Sequence, residues 1–309
     1  MTQRPEDLAE FIGQKALTDR LRTVIRGARA RGTAIPHILL SGPPGMGKTT
    51  LARIVAAEAG TTLAVTSGAA LKRPADVVGV LLGAEGPQVV FVDEIHRLGA
   101  RVEETLYEAL EDGTVSVVIG KGAEARLLTF SVPPFVCVGA TTLPGMLSAP
   151  LRDRFGFHGV MAPYSERELA QMAQRAWTLA GVSAPITAAA VVADRCKGVP
   201  RTALHLAERV LDVTALSGEP ITAETARAAL DSFGVHEHGL DEVDWAILRA
   251  LTGIFAGRAV GLEALAQALN MDPSTIEREH EGELVRAGYM TRTASGRMAM
   301  PDAYTVVRS

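Results

Sequence analysis

Residues 42–49 read Gly-Pro-Pro-Gly-Met-Gly-Lys-Thr, a fit to the phosphate-loop pattern G-x-x-x-x-G-K-[ST]. The flanks supply the context that this pattern needs. Ile38-Leu39-Leu40 before it is a short apolar run suited to a buried strand, and Thr50–Glu58 after it has helical spacing. Gly42, Gly45 and Gly47 let the backbone turn its N–H groups inward on an anion, and the N-terminus of the new helix adds partial positive charge. Lys48 is placed to reach the terminal phosphates, and the Thr49 hydroxyl suits Mg²⁺.

Working outward, Gln88–Val92 is an apolar strand closed by Asp93-Glu94. Downstream of a phosphate loop, an Asp at a strand's carboxyl end holds the Mg²⁺ shell, and an adjacent carboxylate orients and deprotonates the attacking water. Asp93 and Glu94 are therefore expected as metal-shell residue and general base of an ATP hydrolase, against the plainer possibility of a cap for the helix starting near Arg101. Phe135–Ala140 reads as a further buried strand ending in Thr141-Thr142, where a hydroxyl is placed to sense the γ-phosphate. In Leu151-Arg152-Asp153-Arg154-Phe155-Gly156, two arginines flank one aspartate. They either pair locally, or one projects into a neighbouring subunit's nucleotide; composition leaves both open.

The chain has 309 residues, enough for two or three cooperating units, with 47% hydrophobic and 21% charged residues as in ordinary globular proteins. No apolar run approaches the roughly 18 residues that span a bilayer. The first residues lack the apolar stretch of a secretion signal, and Cys137 and Cys196 sit in apolar or helical settings, so a cytoplasmic protein with free core thiols is expected. The net charge of −4 is uneven: residues 237–309 hold seven Arg against eleven Asp/Glu, whereas 1–236 are balanced. A net acidic module does not coat DNA broadly, though a local basic patch remains open to it.

Strands and helices alternate through the first half, giving an α/β unit built on a parallel sheet. Val115–Ile119 and Arg126–Phe130, joined by a Gly-rich loop that includes Lys121 and Glu124, interrupt the alternation as an inserted hairpin, whose apolar strands favour packing over projection. From about Tyr164 the pattern is helical, with helices over 188–195, 202–216 and 223–233. A Gly stop and Pro restart fall at Lys197-Gly198-Val199-Pro200-Arg201. Arg201, so near a helix N-terminus, opposes the helix dipole and calls for a partner such as a phosphate. Residues 235–240 read as linker, with a metal role for His236 and His238 disfavoured. Helices 241–255, 261–269 and 274–287 followed by short strands 289–293 and 298–300 make a winged helix. Its third helix is acidic, so a DNA contact is expected at the wing, through Arg292 and Arg297, with protein docking by the wing as the alternative.

Taken together, Phe11-Ile12-Gly13-Gln14, Gly42–Thr50, Thr66-Ser67-Gly68, Asp93–Leu98, Gly139–Thr142, Leu151–Gly156 and Arg292-Thr293 with Gly296-Arg297 resemble the RuvB family of AAA+ motors that drive Holliday-junction branch migration. The resemblance runs collinearly over nearly the whole chain. It implies an AAA+ P-loop ATPase domain (1–163), a helical lid (164–236) and a C-terminal winged-helix head (237–309), and a hexameric ring on duplex DNA at four-way junctions. A RuvA-type protein would dock through hairpin 115–130. It also implies Thr141 as first sensor, Arg154 as the finger reaching a neighbour's γ-phosphate and Arg201 as second sensor. Nucleotide would be bound further by Thr50, Glu111 and Asp112, with an adenine pocket formed by Arg4, Phe11, Ile12, Tyr164 and Pro200. The chain departs from the family pattern in an Arg-poor lid helix (Leu204–Arg209) and in Ala294-Ser295 at the wing. Fewer positive charges imply weaker DNA binding with a shallower salt dependence. A nucleotide-switched loader whose winged helix binds another protein is the alternative function.

Overall fold

The computed structural model describes residues 5–83, 86–119 and 126–308, in two compact units, 1–164 and 165–309. In the first unit the elements run α1 (Lys15–Arg31), β1 (Ile38–Ser41), α2 (Lys48–Ala59), β2 (Thr62–Ser67), α3 (Pro74–Leu82), β3 (Gln88–Asp93), α4 (Ala100–Asp112), β4 (Thr114–Ile119), β5 (Arg126–Ser131), β6 (Phe135–Thr141), α5 (Ala149–Asp153) and β7 (Phe157–Val160). The sheet is parallel with strand order β2-β3-β6-β1-β7. Its central strands are buried on both faces, which is why 38–40, 88–92 and 135–140 read as continuous apolar runs without alternation. Val90, Val92 and Cys137 pack with Leu81, Leu106, Leu151 and Phe155 into one core. Each buried aliphatic or aromatic side chain contributes roughly 1.5–3 kcal/mol on transfer from water.

The inserted hairpin pairs β4 with β5 in a separate two-stranded sheet. Its β4 side packs, with Val115 fully buried, but Leu127 and Leu128 of β5 are 65% and 42% exposed. The expectation that apolar composition meant packing is therefore corrected for the loop-proximal part of β5. Phe130, paired with Val115, packs against the core, whereas Leu127 and Leu128, nearer the hairpin loop, are left to solvent. The loop 120–125, with Lys121 and Glu124, lies outside the described residues. Asp93 and Glu94 do not cap α4, whose N-cap is Gly99; a 3₁₀ turn, Ile95–Arg97, intervenes.

The second unit begins with α6 (Glu166–Leu179), α7 (Ile186–Arg195), α8 (Pro200–Ser217) and α9 (Ala223–Ser232). The Ser165 and Thr222 capping boxes and the Gly218 αL cap mark where the apolar periodicity starts and stops. Next come α10 (Glu242–Arg249), α11 (Leu262–Leu269), α12 (Pro273–Thr275), α13 (Gly282–Arg286), β8 (Met290–Thr293), β9 (Gly296–Ala299) and α14 (Pro301–Arg308). Val260 adds one bridge to Arg297, extending the two-stranded wing. Helices expected as continuous α over 241–255 and 274–287 contain π segments, Ala250–Ile254 and Ile276–Glu281. Beyond Met300, where the sequence pattern predicts no element, α14 closes the core through Ala303 and Val306.

Residues 235–240 are not a free linker. His238 donates its backbone N–H to Asp194 Oδ2 at 3.0 Å, and its ring Nδ1 lies 3.1 Å from Asp194 Oδ1. A Cβ on Gly239 (φ +72°) would stand 2.5 Å from the Arg195 carbonyl oxygen, so backbone meets backbone there. Arg195, 3% exposed, donates to Asp231 Oδ1 and the Val235 carbonyl, both at 2.7 Å. The segment is thus docked on the C-terminal end of α7.

Candidate nucleotide-hydrolysis site

Strand order decides what meets at the carboxyl edge of the sheet. Because β6 lies between β1 and β3, the phosphate loop after β1, Thr141 at the end of β6 and Asp93-Glu94 at the end of β3 are delivered side by side. This edge is where open α/β sheets bind ligands. The loop is tied to the neighbouring strand directly: Gly42 N–H donates to the Thr141 carbonyl at 3.1 Å. Ser41 is in register with Thr141, and Val92 with Gly139.

The loop is shaped by Gly42, Gly45 and Gly47 at φ +146°, +77° and +100°, values that other residues adopt only with strain. Lys48 is buried, and its Nζ donates to the carbonyls of Gly42 and Pro43 at 2.8 Å each, folding the ammonium back over the loop. Thr49 and Thr50 are half-buried in the first turn of α2, where backbone N–H groups are unpaired within the helix. Phe11 and Tyr164 close the loop from the side. The Tyr164 hydroxyl donates to the Met46 carbonyl at 3.0 Å, and a Cβ on Gly47 would lie 3.0 Å from Phe11 Cζ and 3.8 Å from Tyr164 Oη. Gln14, next to half-buried Ile12, holds this N-terminal arm by a two-way amide pairing with Ala162 at 2.6 and 2.9 Å. Arg4 lies outside the described residues.

Across the site, Glu94 adopts a left-handed conformation (φ 49°, ψ 47°) and its N–H is capped by Asp93 Oδ1 at 3.1 Å. Glu94 Oε2 accepts from Thr142 Oγ1 at 3.3 Å and lies 3.2 Å from His96 Nε2. His96 Nδ1 in turn lies 2.9 Å from Thr141 Oγ1. A nest of glycine N–H groups, an ammonium, a helix N-terminus, a hydroxyl and two carboxylates together match the donor set for a Mg²⁺-nucleotide.

Three further groups of expected residues have local surroundings of their own. Arg154, about one-third exposed, forms an ion pair with Glu111 and donates from Nη2 to the Tyr107 hydroxyl at 2.7 Å. The hydrogen bond to Tyr107, foremost, and the Glu111 charge push its pKa upward. Asp153 is therefore not its local partner. Among the described residues Glu111 engages Arg154 and not the phosphate loop of its own chain; Asp112 is exposed at the end of α4. Tyr107 was missed by sequence reading, although its i,i+4 spacing to Glu111 puts both on one helix face. In the second unit, Pro200 is buried at the first position of α8 and Arg201 beside it is exposed. On the wing, Arg297 is bidentate to Glu281, with Nε to Oε1 at 3.1 Å and Nη2 to Oε2 at 2.9 Å, and Arg292 Nε also pairs with Glu281. Glu281 is fully buried, so these two arginines neutralise an internal carboxylate.

Family models match the chain end to end: the Holliday junction DNA helicase RuvB P-loop domain over residues 3–161, the RuvB AAA lid domain over 164–236 and the RuvB C-terminal winged helix domain over 237–308. The chain belongs to the RuvB family. The Holliday junction branch migration complex subunit RuvB of Thermobifida fusca is 47% identical over 97% of this chain and 86% of its own. That of Corynebacterium diphtheriae is 46% identical over 97% and 83%. Among solved structures, the Thermotoga maritima RuvB Holliday junction branch migration motor superposes with a TM-score of 0.82 at 38% identity, covering 99% of this chain and 98% of that one. The chain is thus a P-loop nucleotide-binding ATPase with a lid and a winged helix. Among the described residues no helix is long and apolar enough to cross a membrane.

Proposed function

We propose that this protein is an ATP-driven DNA translocase that moves four-way junctions, in the cytoplasm, as a ring of identical subunits with nucleotide between neighbours. The observation that carries this reading is the meeting of Lys48, Thr141 and Glu94 at one sheet edge in a RuvB-family chain. In this reading the 1–163 domain hydrolyses ATP, the 164–236 lid reports the nucleotide state through Pro200 and Arg201, and the 237–309 head engages duplex DNA.

The loop N–H groups and Lys48 bind and orient the phosphates, and Phe11, Ile12 and Tyr164, with Arg4, border the base. Thr49 and Asp93 would hold Mg²⁺, which when bound offsets phosphate charge. Glu94 takes the proton of the attacking water, Thr141 donates to the γ-phosphate, and Arg154 stabilises charge developing in a neighbour's site. Arg154's pairing with Glu111 and Tyr107 supports a pre-oriented guanidinium at the far end of α4, away from its own loop; Glu111 and Asp112 then belong to the face presented to the neighbour. The exposed β5 leucines support hairpin 115–130 as the docking point of a RuvA-type protein.

The test is ATP-dependent branch migration of a four-way junction with a RuvA-type protein supplied. Wild type should migrate the junction until its arms separate, Lys48→Ala should lose nucleotide binding or turnover, and Glu94→Gln should bind ATP without hydrolysing it. Normal turnover by Glu94→Gln would remove the general-base assignment. The engagement of Arg292 and Arg297 with Glu281 favours a second reading, in which the head docks on protein in a nucleotide-switched loader. Duplex binding that is negligible, and equal with and without Arg292, would select it.

A further inference from the structure

The chemistry above gives His96 no task, yet its imidazole stands between the two groups that must act together. Its side chain is 7% exposed, with Nδ1 2.9 Å from Thr141 Oγ1 and Nε2 3.2 Å from Glu94 Oε2. A carboxylate only accepts, so the ring nitrogen facing Glu94 carries the hydrogen. In the neutral ring Nδ1 is then an acceptor. Thr141, fully buried, already accepts the Leu143 N–H on Oγ1 at 2.9 Å, and its one hydroxyl proton is directed at Nδ1. In this one arrangement both ring nitrogens of His96 and the Thr141 hydroxyl are paired.

The geometry also orients the carboxylate. Both donors to Glu94, the His96 Nε2–H and the Thr142 hydroxyl, fall on Oε2. Among the described residues Oε1 has no such donor, so one oxygen is pinned and the other is presented. The 3₁₀ turn that starts at Ile95 makes this possible. It reverses the chain directly after Glu94, so that a side chain two residues later reaches back to the same carboxylate and on to the adjacent strand.

We propose that His96 is a positioning residue for hydrolysis: through its two ring nitrogens it couples Thr141, the γ-phosphate sensor, to Glu94, the general base, so that recognition of the phosphate and orientation of the base are set together. This rests on the proposed roles of Thr141 and Glu94. When Thr141 redirects its hydroxyl to a phosphate oxygen, Nδ1 loses its donor and the ring is free to shift, which moves the Nε2–H that pins Oε2.

The experiment uses the full-length chain assembled on duplex DNA, with nucleotide affinity, steady-state ATP hydrolysis and thermal stability measured for each variant. His96→Ala removes both contacts; the amide of His96→Gln reaches toward Glu94 and that of His96→Asn toward Thr141. Affinity for a non-hydrolysable ATP analogue should stay within about 3-fold of wild type. In contrast kcat should fall about 10²-fold for His96→Ala, the scale of a displaced catalytic group, and recover in part in His96→Gln. Thr141→Val should cost much less in the His96→Ala background than in wild type, the mark of coupled groups. Wild-type kcat in the Gln and Asn variants, with only melting temperature lowered, would make His96 a packing residue and overturn the proposal. Full multiplication of the Thr141→Val and His96→Ala effects would overturn the coupling. Glu94→Gln serves as the control arm: if it hydrolyses ATP normally the general-base reading itself fails, whereas if it is inactive while His96 variants turn over normally, only the present inference fails. Should His96→Ala not fold, the Gln and Asn variants and the Gln/Thr141→Val pair decide the same question.

Discussion

The guanidinium of Arg154 lies 4.9 Å from the ring centroid of Tyr107 while donating to that ring's own hydroxyl at 2.7 Å. One aromatic side chain therefore holds the arginine by face and by edge, and Glu111, one helical turn on, pairs with its charge. A finger that acts on a neighbour gains from being ordered before the neighbour arrives, because less conformational freedom is lost in the transition state. Arg154→Ala should lower ATP turnover in the assembled protein by about 10³–10⁵-fold, and mixing it with Lys48→Ala subunits should restore part of the rate. Tyr107→Phe, which keeps the ring and drops the hydroxyl, should give a smaller loss of about 10-fold, confined to kcat. Equal inactivity of the mixture and of its components, in verified oligomers, would count against action in trans.

The wing arginines separate by burial. Arg297 is only 16% exposed at its side chain and bidentate to Glu281, whereas Arg292 is 56% exposed. Arg297→Ala leaves the Glu281 charge buried with a single partner and should destabilise the second unit by about 3 kcal/mol. Arg292→Ala should leave the fold largely intact and reduce the salt slope of duplex binding by about 1 if it contacts a phosphate. Denaturant melts and salt titrations of DNA binding on both variants check the division.

What was legible in the sequence tracks how local the determinant is. The phosphate loop, the apolar strand ending in Asp93-Glu94 and the Pro200 restart are each written within a few adjacent residues, and their elements formed where the pattern placed them. The partners of Arg154 are 43 and 47 residues away, Thr141 is 45 from His96 and Glu281 is 16 from Arg297, and no periodicity announces them. Composition also misled where it averaged along the strand: the hairpin's apolar residues implied packing, but Leu127 and Leu128, neighbours on opposite faces of β5, are both exposed, while Phe130, paired with buried Val115, packs on the core. The third helix reads simply as acidic, although Glu281 on it is fully buried and paired with Arg292 and Arg297.

Acid should weaken the first unit through His37. Its Nδ1 accepts the Cys137 N–H at 3.0 Å, joining the start of β1 to β6. Burial, foremost, pushes its pKa below the ordinary 6.5, with a hydrogen bond at the Leu110 backbone acting the other way. The unfolded chain thus takes up this proton at higher pH than the native state. The stability His37 contributes is present above about pH 6.5 and declines as pH falls below it. Calorimetry of wild type against His37→Asn, whose amide oxygen can accept the same N–H but does not titrate, should show the acid slope reduced in the variant. Cys137 supplies a second check, since burial pushes its thiol up to about 12; it should resist alkylation at neutral pH until the first unit unfolds.

Lys197 and Asp244 tie the lid helices to the head. Lys197 sits in a left-handed conformation (φ 54°) just before the Pro200 restart, and its Nζ lies 2.7 Å from Oδ2 of the fully buried Asp244. Asp244 also closes the capping box of α10 with Asp241 and meets His280 Nδ1 at 2.8 Å. Lys197→Met removes one countercharge from an aspartate that has no access to water, and should cost about 3 kcal/mol. Asp244→Asn in the Lys197→Met background removes the stranded charge, so the double variant should be more stable than Lys197→Met alone. Trp177 and Trp245, the chain's two tryptophans, both lie in the second unit, so denaturation followed by tryptophan fluorescence reads that unit alone. If the costs of the two substitutions instead add, the ion pair is not what joins Lys197 to the head, and the docking of residues 237–240 on α7 carries the connection by itself.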